Sequence, residues 1–174
     1  MMSTGELKFQ EQVRAALAEL STSMVTALQA LVDYRYPEQV AALDFEIFSD
    51  SFTSGFPARA FFLDRRNCEY FLMVNGQATY PSPVDPGLLD IDCVYPVELE
   101  DQLELESPGS DPWHIATEEF FQWFLGCWHM AGGRDFPLPA TIAPHDSSSE
   151  LDLITGRTQP RGCYFASSAH GSGT

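Results

Sequence analysis

The chain reads as a single α+β domain, a mainly antiparallel sheet of about five to six strands with two principal helices packed on one face. Three observations predict it. Two long segments carry apolar side chains at three- and four-residue steps, the spacing of a helix stripe. Between them lie short apolar runs of four to seven residues separated by Asn-Gly, Pro and Ser signals, the pattern of strands and turns. Finally, 174 residues that are 44 % hydrophobic and 13 % aromatic suffice for one core and are short for two.

The first helix is expected from Glu6 to about Asp33, with Val13, Leu17, Leu20, Met24, Leu28 and Leu31 on its inner stripe. Ser3 or Thr4 can cap it, and Glu6 sits where the helix dipole favours an acid. Pro37 closes this region, and a short turn of helix over Glu38–Leu43 is expected to follow. Asp44–Ser49 alternates as a strand. Ala58–Leu63 and Cys68–Val74 form two more, joined by Asp64-Arg65-Arg66-Asn67. Because Tyr70 to Val74 is apolar on both faces, that strand is placed in the centre of the sheet. Asn75-Gly76 turns the chain into Gln77–Tyr80, and Pro81–Gly87 is a loop, since three prolines cannot sit in a ladder. The second helix runs from about Thr117 to Ala131, capped by Thr117 or Asp111 and stopped by Gly132-Gly133. Its Phe120, Phe121, Trp123, Phe124, Leu125, Cys127, Trp128 and Met130 leave almost no polar side, so it is buried on most sides. The Pro-rich run from Asp135 to Pro144 is expected along the surface, and Ser147–Ile154 holds one short turn or strand. The domain spans residues 1–154, and the Gly/Ser-rich remainder, 155–174, is a disordered tail.

The stretch from Leu89 to Glu106 stands apart. Its odd positions are Leu89, Ile91, Cys93, Tyr95, Val97, Leu99, Leu103 and Leu105, with Asp101 among them. Its even positions carry Asp90, Asp92, Glu98, Glu100, Glu104 and Glu106. Read as a strand pair bent near Pro96 or Asp101, this puts the apolar groups on one face and the carboxylates on the other. No Lys or Arg occurs between Arg66 and Arg134, while twelve Asp and Glu do. A solvated outer face accounts for such a row, but one without counter-charge repels itself, and a basic partner relieves that cost. A hard-cation site is the third reading of the row, though the Asp-x-Asp-x-Asn/Asp-Gly pattern of a calcium loop is absent.

The formal net charge is −16, with nine Lys and Arg against twenty-five Asp and Glu. That balance disfavours nucleic acid and anionic membranes, whose phosphates are bound through Lys and Arg. Cys68, Cys93, Cys127 and Cys163 form no CxxC pair and read as reduced thiols of a cytoplasmic protein, with Cys127 in the core. The start lacks a basic segment followed by an apolar core, and no run of about 18 apolar residues follows. Cys127 and His129 lie two apart on a helix and point in different directions. Neither these nor His114 and His145-Asp146 converge by spacing on a catalytic or metal site. No glycine-rich phosphate loop, GxSxG or HExxH occurs. Loop aromatics Phe52, Phe56, Trp113 and Phe136 are interface anchors or lids on the core, and Trp113 directly follows the acidic stretch.

Small, strongly acidic, single-domain and without a catalytic motif, the chain resembles bacterial immunity proteins that neutralise toxins, in size and charge. The resemblance implies a non-enzymatic inhibitor that occludes the cationic site of a basic toxin or nuclease, with no cofactor and no metal. Asp90, Asp92, Glu98, Glu100, Asp101, Glu104 and Trp113 are the expected partner contacts. Two other expectations stand beside it. One is a small enzyme or ligand-binding domain with a pocket between the aromatic helix and the sheet, using His114, His129 or His145. The other is an adaptor or chaperone for a basic cargo.

Overall fold

The structure is a computed structural model and describes residues 1–55, 57–163 and 165. Helix α1 spans Thr4–Asp33. Strands β1 (Ala42–Ile47) and β2 (Ala58–Leu63) follow, then a ribbon of β3 (Leu72–Val74) and β4 (Gln77–Thr79). Helices α2 (Glu98–Glu106) and α3 (Pro112–Met130) come next, and β5 (Ala140–Pro144), β6 (Ser149–Asp152) and β7 (Thr158–Pro160) complete the chain. The main sheet has the order β2-β1-β5-β6-β7, and β3-β4 forms a separate two-stranded sheet. Every neighbour in the main sheet is antiparallel except β1 and β5, which run parallel in register Leu43↔Ala140 to Ile47↔Pro144.

Strand alternation sorts the faces of β1. Leu43, Phe45 and Ile47 turn inward, and Phe45 packs its ring against Phe124 and Trp128 of α3 at 5.0 and 5.8 Å. Ala42, Asp44 and Glu46 turn to the other face. Helices α1 and α3 lie side by side and parallel: Ser110 bonds Glu6 near their starts, Glu119 takes two hydrogen bonds from Arg14, and Trp123 donates to Ser21. Phe9, Val13, Leu17, Met24, Leu28 and Leu31 of α1 are buried with Phe120, Phe124, Cys127 and Trp128 of α3. Each large side chain so removed from water contributes roughly 1.5–3 kcal/mol, so this helix pair on one sheet face holds the fold. By length and apolar content α1 is long enough to cross a bilayer, and here its apolar stripe is spent on that core. A capping box of Ser3 and Glu6 starts α1, and Asp111 caps α3 by accepting from His114 N–H at 3.0 Å.

Four expectations fail, each for a visible reason. The acidic strand pair does not exist: residues 81–97 are irregular and Glu98–Glu106 is helical. Leucines at 99 and 103 satisfy a four-residue step as well as a two-residue one, and Glu, Leu and Gln favour the helix. Leu103 is buried, whereas Leu105, which the strand register would have hidden, is 83 % exposed. Cys68–Val74 is not the central strand. Only a bridge, Leu63↔Glu69, continues the β2 hairpin, and Leu72–Val74 leaves the sheet for the outer ribbon. The centre belongs to β5, concealed in sequence by prolines at 137, 139 and 144 that flank a short Ala-Thr-Ile-Ala run. Glu38–Leu43 is a turn followed by the start of β1 rather than a helix. Lastly, Thr155–Arg161 is built into the sheet through β7, so the ordered body extends past residue 154. Phe56, Tyr164 and residues 166–174 lie outside the described residues.

Candidate functional site: the acidic pole and its aromatic cleft

β1 and β5 end at the same edge of the sheet, and the chain leaving each turns sharply. After β1 comes Phe48 and a 3-10 turn over Ser49–Ser51; after β5 come His145 and Asp146. The start of α3 packs beside them, with Ser49 Oγ 2.8 Å from Thr117 Oγ1. These three segments enclose an open cleft of about 420 Å³ lined by Phe48, Ser49, Asp50, Trp113, Pro144, His145 and Asp146. Trp113, on the first turn of α3, is 48 % exposed. The Phe48 ring lies 5.1 Å from the His145 ring at 31°. Asp50 and Asp146 are exposed, and neither makes a hydrogen bond or ion pair among the described residues.

Helix α2 occupies this same pole. Its end is tied to the start of α1 by Ser3–Ser107 at 2.6 Å and Lys8–Glu106 at 2.8 Å, and Val94 N–H donates to Phe52 O beside the 3-10 turn. Tyr95 pins the irregular stretch by packing on Phe9 and Phe52 and donating to Glu100 at 3.0 Å. The expected contact residues therefore do not form a strand face. Asp90 and Asp92 are exposed on the loop, and Glu98, Asp101 and Glu104 are exposed on α2. Glu100 is half-buried against Tyr95, and Glu104 accepts from Gly109 N–H at 3.2 Å. Trp113 lies at the cleft. Lys8 is held by Glu106 at the end of α2. Arginines gather at the opposite pole, where Arg35 and Arg65 line a cleft of about 610 Å³ with Tyr34 and Tyr36. Negative charge close to the starts of α1 and α3 also opposes their dipoles favourably.

Beneath the cleft, on the sheet face away from the helices, lies a polar network that sequence reasoning missed. Arg161 donates to Asp44 Oδ2 at 2.9 Å, to Glu46, and to the His145 carbonyl at 2.9 Å. Asp44 also accepts from Thr141 at 3.0 Å, and burial raises its pKa despite the opposing pull of Arg161. Gly162 N–H and Gln159 both donate to the buried Glu150. His145 Nδ1 lies 2.6 Å from Glu46 Oε2, and that hydrogen bond, with the carboxylate's charge, raises the imidazole pKa above 6.5. Alternation in Asp44-Phe-Glu46 signals a shared face, but nothing in sequence joins it to Arg161, which is separated by more than a hundred residues.

Among the described residues the histidines do not converge. His114 is exposed on the first turn of α3, His129 is at its far end where burial and Arg134 lower its pKa, and of these three His145 alone meets an acid. Cys127 is buried and burial pushes its thiol up to about 11, a core residue as expected. Among the described residues no group of three His, Cys, Asp or Glu is placed to hold a metal ion. No protein-family model, no curated protein and no solved structure matches the chain.

Proposed function

We propose that this is a non-catalytic binding protein whose acidic pole covers a cationic site on a basic partner, in the manner of an immunity protein acting on a toxin or nuclease. One observation carries the reading: exposed Trp113 lines an open cleft with the exposed carboxylates of Asp50 and Asp146, and the exposed Asp90, Asp92, Glu98, Asp101 and Glu104 of the stretch leading toward α3 pair with no Lys or Arg among the described residues. An arginine or lysine of the partner fits the cleft, since Trp113 offers a π face and Asp50 and Asp146 offer carboxylates. A net charge of −16 steers such a partner toward the complex and speeds encounter. Trp113 is then the anchor, and Asp90, Asp92, Glu98, Glu100, Asp101 and Glu104 form its rim.

The test is titration with a panel of basic toxin and nuclease domains, any encoded by a neighbouring gene included, at about 0.05 and 0.3 M salt, where screening separates electrostatic from apolar binding. Stoichiometric binding that weakens steeply with salt is expected. Trp113→Ala should weaken it about 30-fold or more, and Glu98→Lys with Asp101→Lys should slow association. Salt-insensitive binding, or none, refutes the proposal. Rescue of growth from the toxin separates an inhibitor from an adaptor.

A second reading draws on His145 and Glu46, an acid–histidine pair at the mouth of a cleft that also holds Ser49. For a hydrolase the nucleophile must reach the base. Ser49 instead bonds Thr117. Turnover of small esters lost in His145→Ala would favour this reading.

A further inference from the structure

We propose that the β3–β4 ribbon is a self-association surface, on which a second copy of this chain pairs edge to edge across a two-fold axis at Met73. The ribbon contacts chiefly itself and presents apolar side chains on both faces: Met73 is 68 % exposed, Val74 49 %, Phe71 37 % and Tyr80 36 %. A strand apolar on both faces is the pattern of one covered on both sides, and nothing in this chain's described residues covers it.

Its shape is fixed. Asn75 and Gly76 adopt φ of 51° and 79°, the left-handed pair of a two-residue hairpin turn. Phe71 and Tyr80 pack with ring centroids 5.3 Å apart and planes tilted by 48°, and Arg59 of β2 lies over the Tyr80 ring at 5.1 Å while donating to its hydroxyl. In such a hairpin the residues flanking the turn form the doubly bonded pair, Val74↔Gln77. The next pair, Met73↔Ala78, therefore turns its backbone N–H and C=O groups outward. That leaves an open edge, guarded by neither Lys nor Pro.

Charge identifies the occupant. From Tyr70 to Val84 there is no Asp, Glu, Lys or Arg, in a chain whose net charge is −16. A basic partner gains no attraction there. The one charge beside it is Arg59, engaged with Tyr80, which disfavours a basic partner further. Two copies of the chain, which repel one another through their acidic poles, can meet here without opposing carboxylates. Antiparallel pairing of one β3 with its equivalent is self-complementary, as a two-fold contact requires.

Sedimentation velocity of the full chain from about 5 to about 200 µM should show a concentration-dependent shift from 19.4 kDa to twice that mass. Because the interface is neutral, raising salt from about 0.05 to about 0.5 M should strengthen the dimer by screening the acidic poles. This is the opposite of the dependence expected for the basic partner, so either proposal can fail alone. Met73→Lys, at a solvent-facing position that leaves the far-ultraviolet spectrum unchanged, should weaken the dimer at least ~100-fold by forcing a charge into the contact. Val74→Glu should do the same. A protein that stays monomeric at the highest concentration and salt overturns the proposal, as does a dimer indifferent to both substitutions. Loss of binding to the basic partner in Met73→Lys, with a monomeric wild type, assigns the ribbon to that partner and equally overturns it.

Discussion

Replacing Arg161 by methionine tests whether the segment after β6 is part of the folded body. Its guanidinium is 24 % exposed and bridges Asp44, 9 % exposed, and Glu46, 14 % exposed. Methionine keeps most of the volume and removes the charge. Breaking a buried ion pair from one side costs about 3–5 kcal/mol. Partial exposure of Arg161 lets water reach the abandoned carboxylates, which lowers the expected loss to about 2–3 kcal/mol, or roughly 5–10 °C in Tm for a chain of this size. The loss should also depend on pH. Asp44 already has a raised pKa because it is buried, so its protonated form is favoured by folding, and stability falls as pH rises from the ordinary carboxylate range through the folded pKa. Without Arg161 that pKa climbs further and the decline extends to higher pH. Urea unfolding followed by tryptophan fluorescence should show the full loss at pH 8 and a smaller one near pH 4. Asp44→Asn in the Arg161→Met background should restore part of it. A loss under about 0.5 kcal/mol, within the range of ordinary surface changes, or one equal at both pH values, refutes the reasoning.

Other expectations are simpler to state. The His145 imidazole should titrate above 6.5 by proton NMR because Glu46 favours its charged form; the contact is fully made below that pH and is lost as pH rises through the raised value, and Glu46→Gln should return the midpoint toward 6.5. Gly133→Ala would drive a methyl group into the Trp128 ring, and thermal unfolding should show a loss of about 2–3 kcal/mol. Asp111→Ala removes the α3 cap and should cost about 1 kcal/mol. Trp113→Ala, at an exposed position, should change stability by less than about 0.5 kcal/mol, which separates its proposed part in binding from any part in folding.

Local signals read well wherever one period or one cap decided the outcome. α1, α3, β1, β2 and the Asn75-Gly76 turn fall within a few residues of where the sequence places them, with Ser3 and Asp111 as caps. The acidic stretch misled because Leu99 and Leu103 fit two periods at once, and a lengthwise alternation of Leu and Glu says nothing about which wins. Its carboxylates divide instead between an irregular stretch, with Asp90 and Asp92, and α2, with Glu98, Asp101 and Glu104. β5 was illegible for a different reason: four residues between prolines have no local pattern, and only pairing with β1 makes them a strand. The cleft shares that difficulty. Trp113 and His145-Asp146 each stood out, but their meeting depends on the parallel pairing of β1 with β5.

That pairing has a consequence for how the molecule comes into being. β1 and β5 join segments separated by about a hundred residues, and contacts so distant along a chain are slow to form. During synthesis the first helix and the β1–β2 hairpin emerge long before β5 exists, so the middle of the sheet stands vacant until nearly the whole chain has left the ribosome. The cleft, whose walls come from both sides of that gap, is among the last features to take shape, and a nascent chain has no competent version of it.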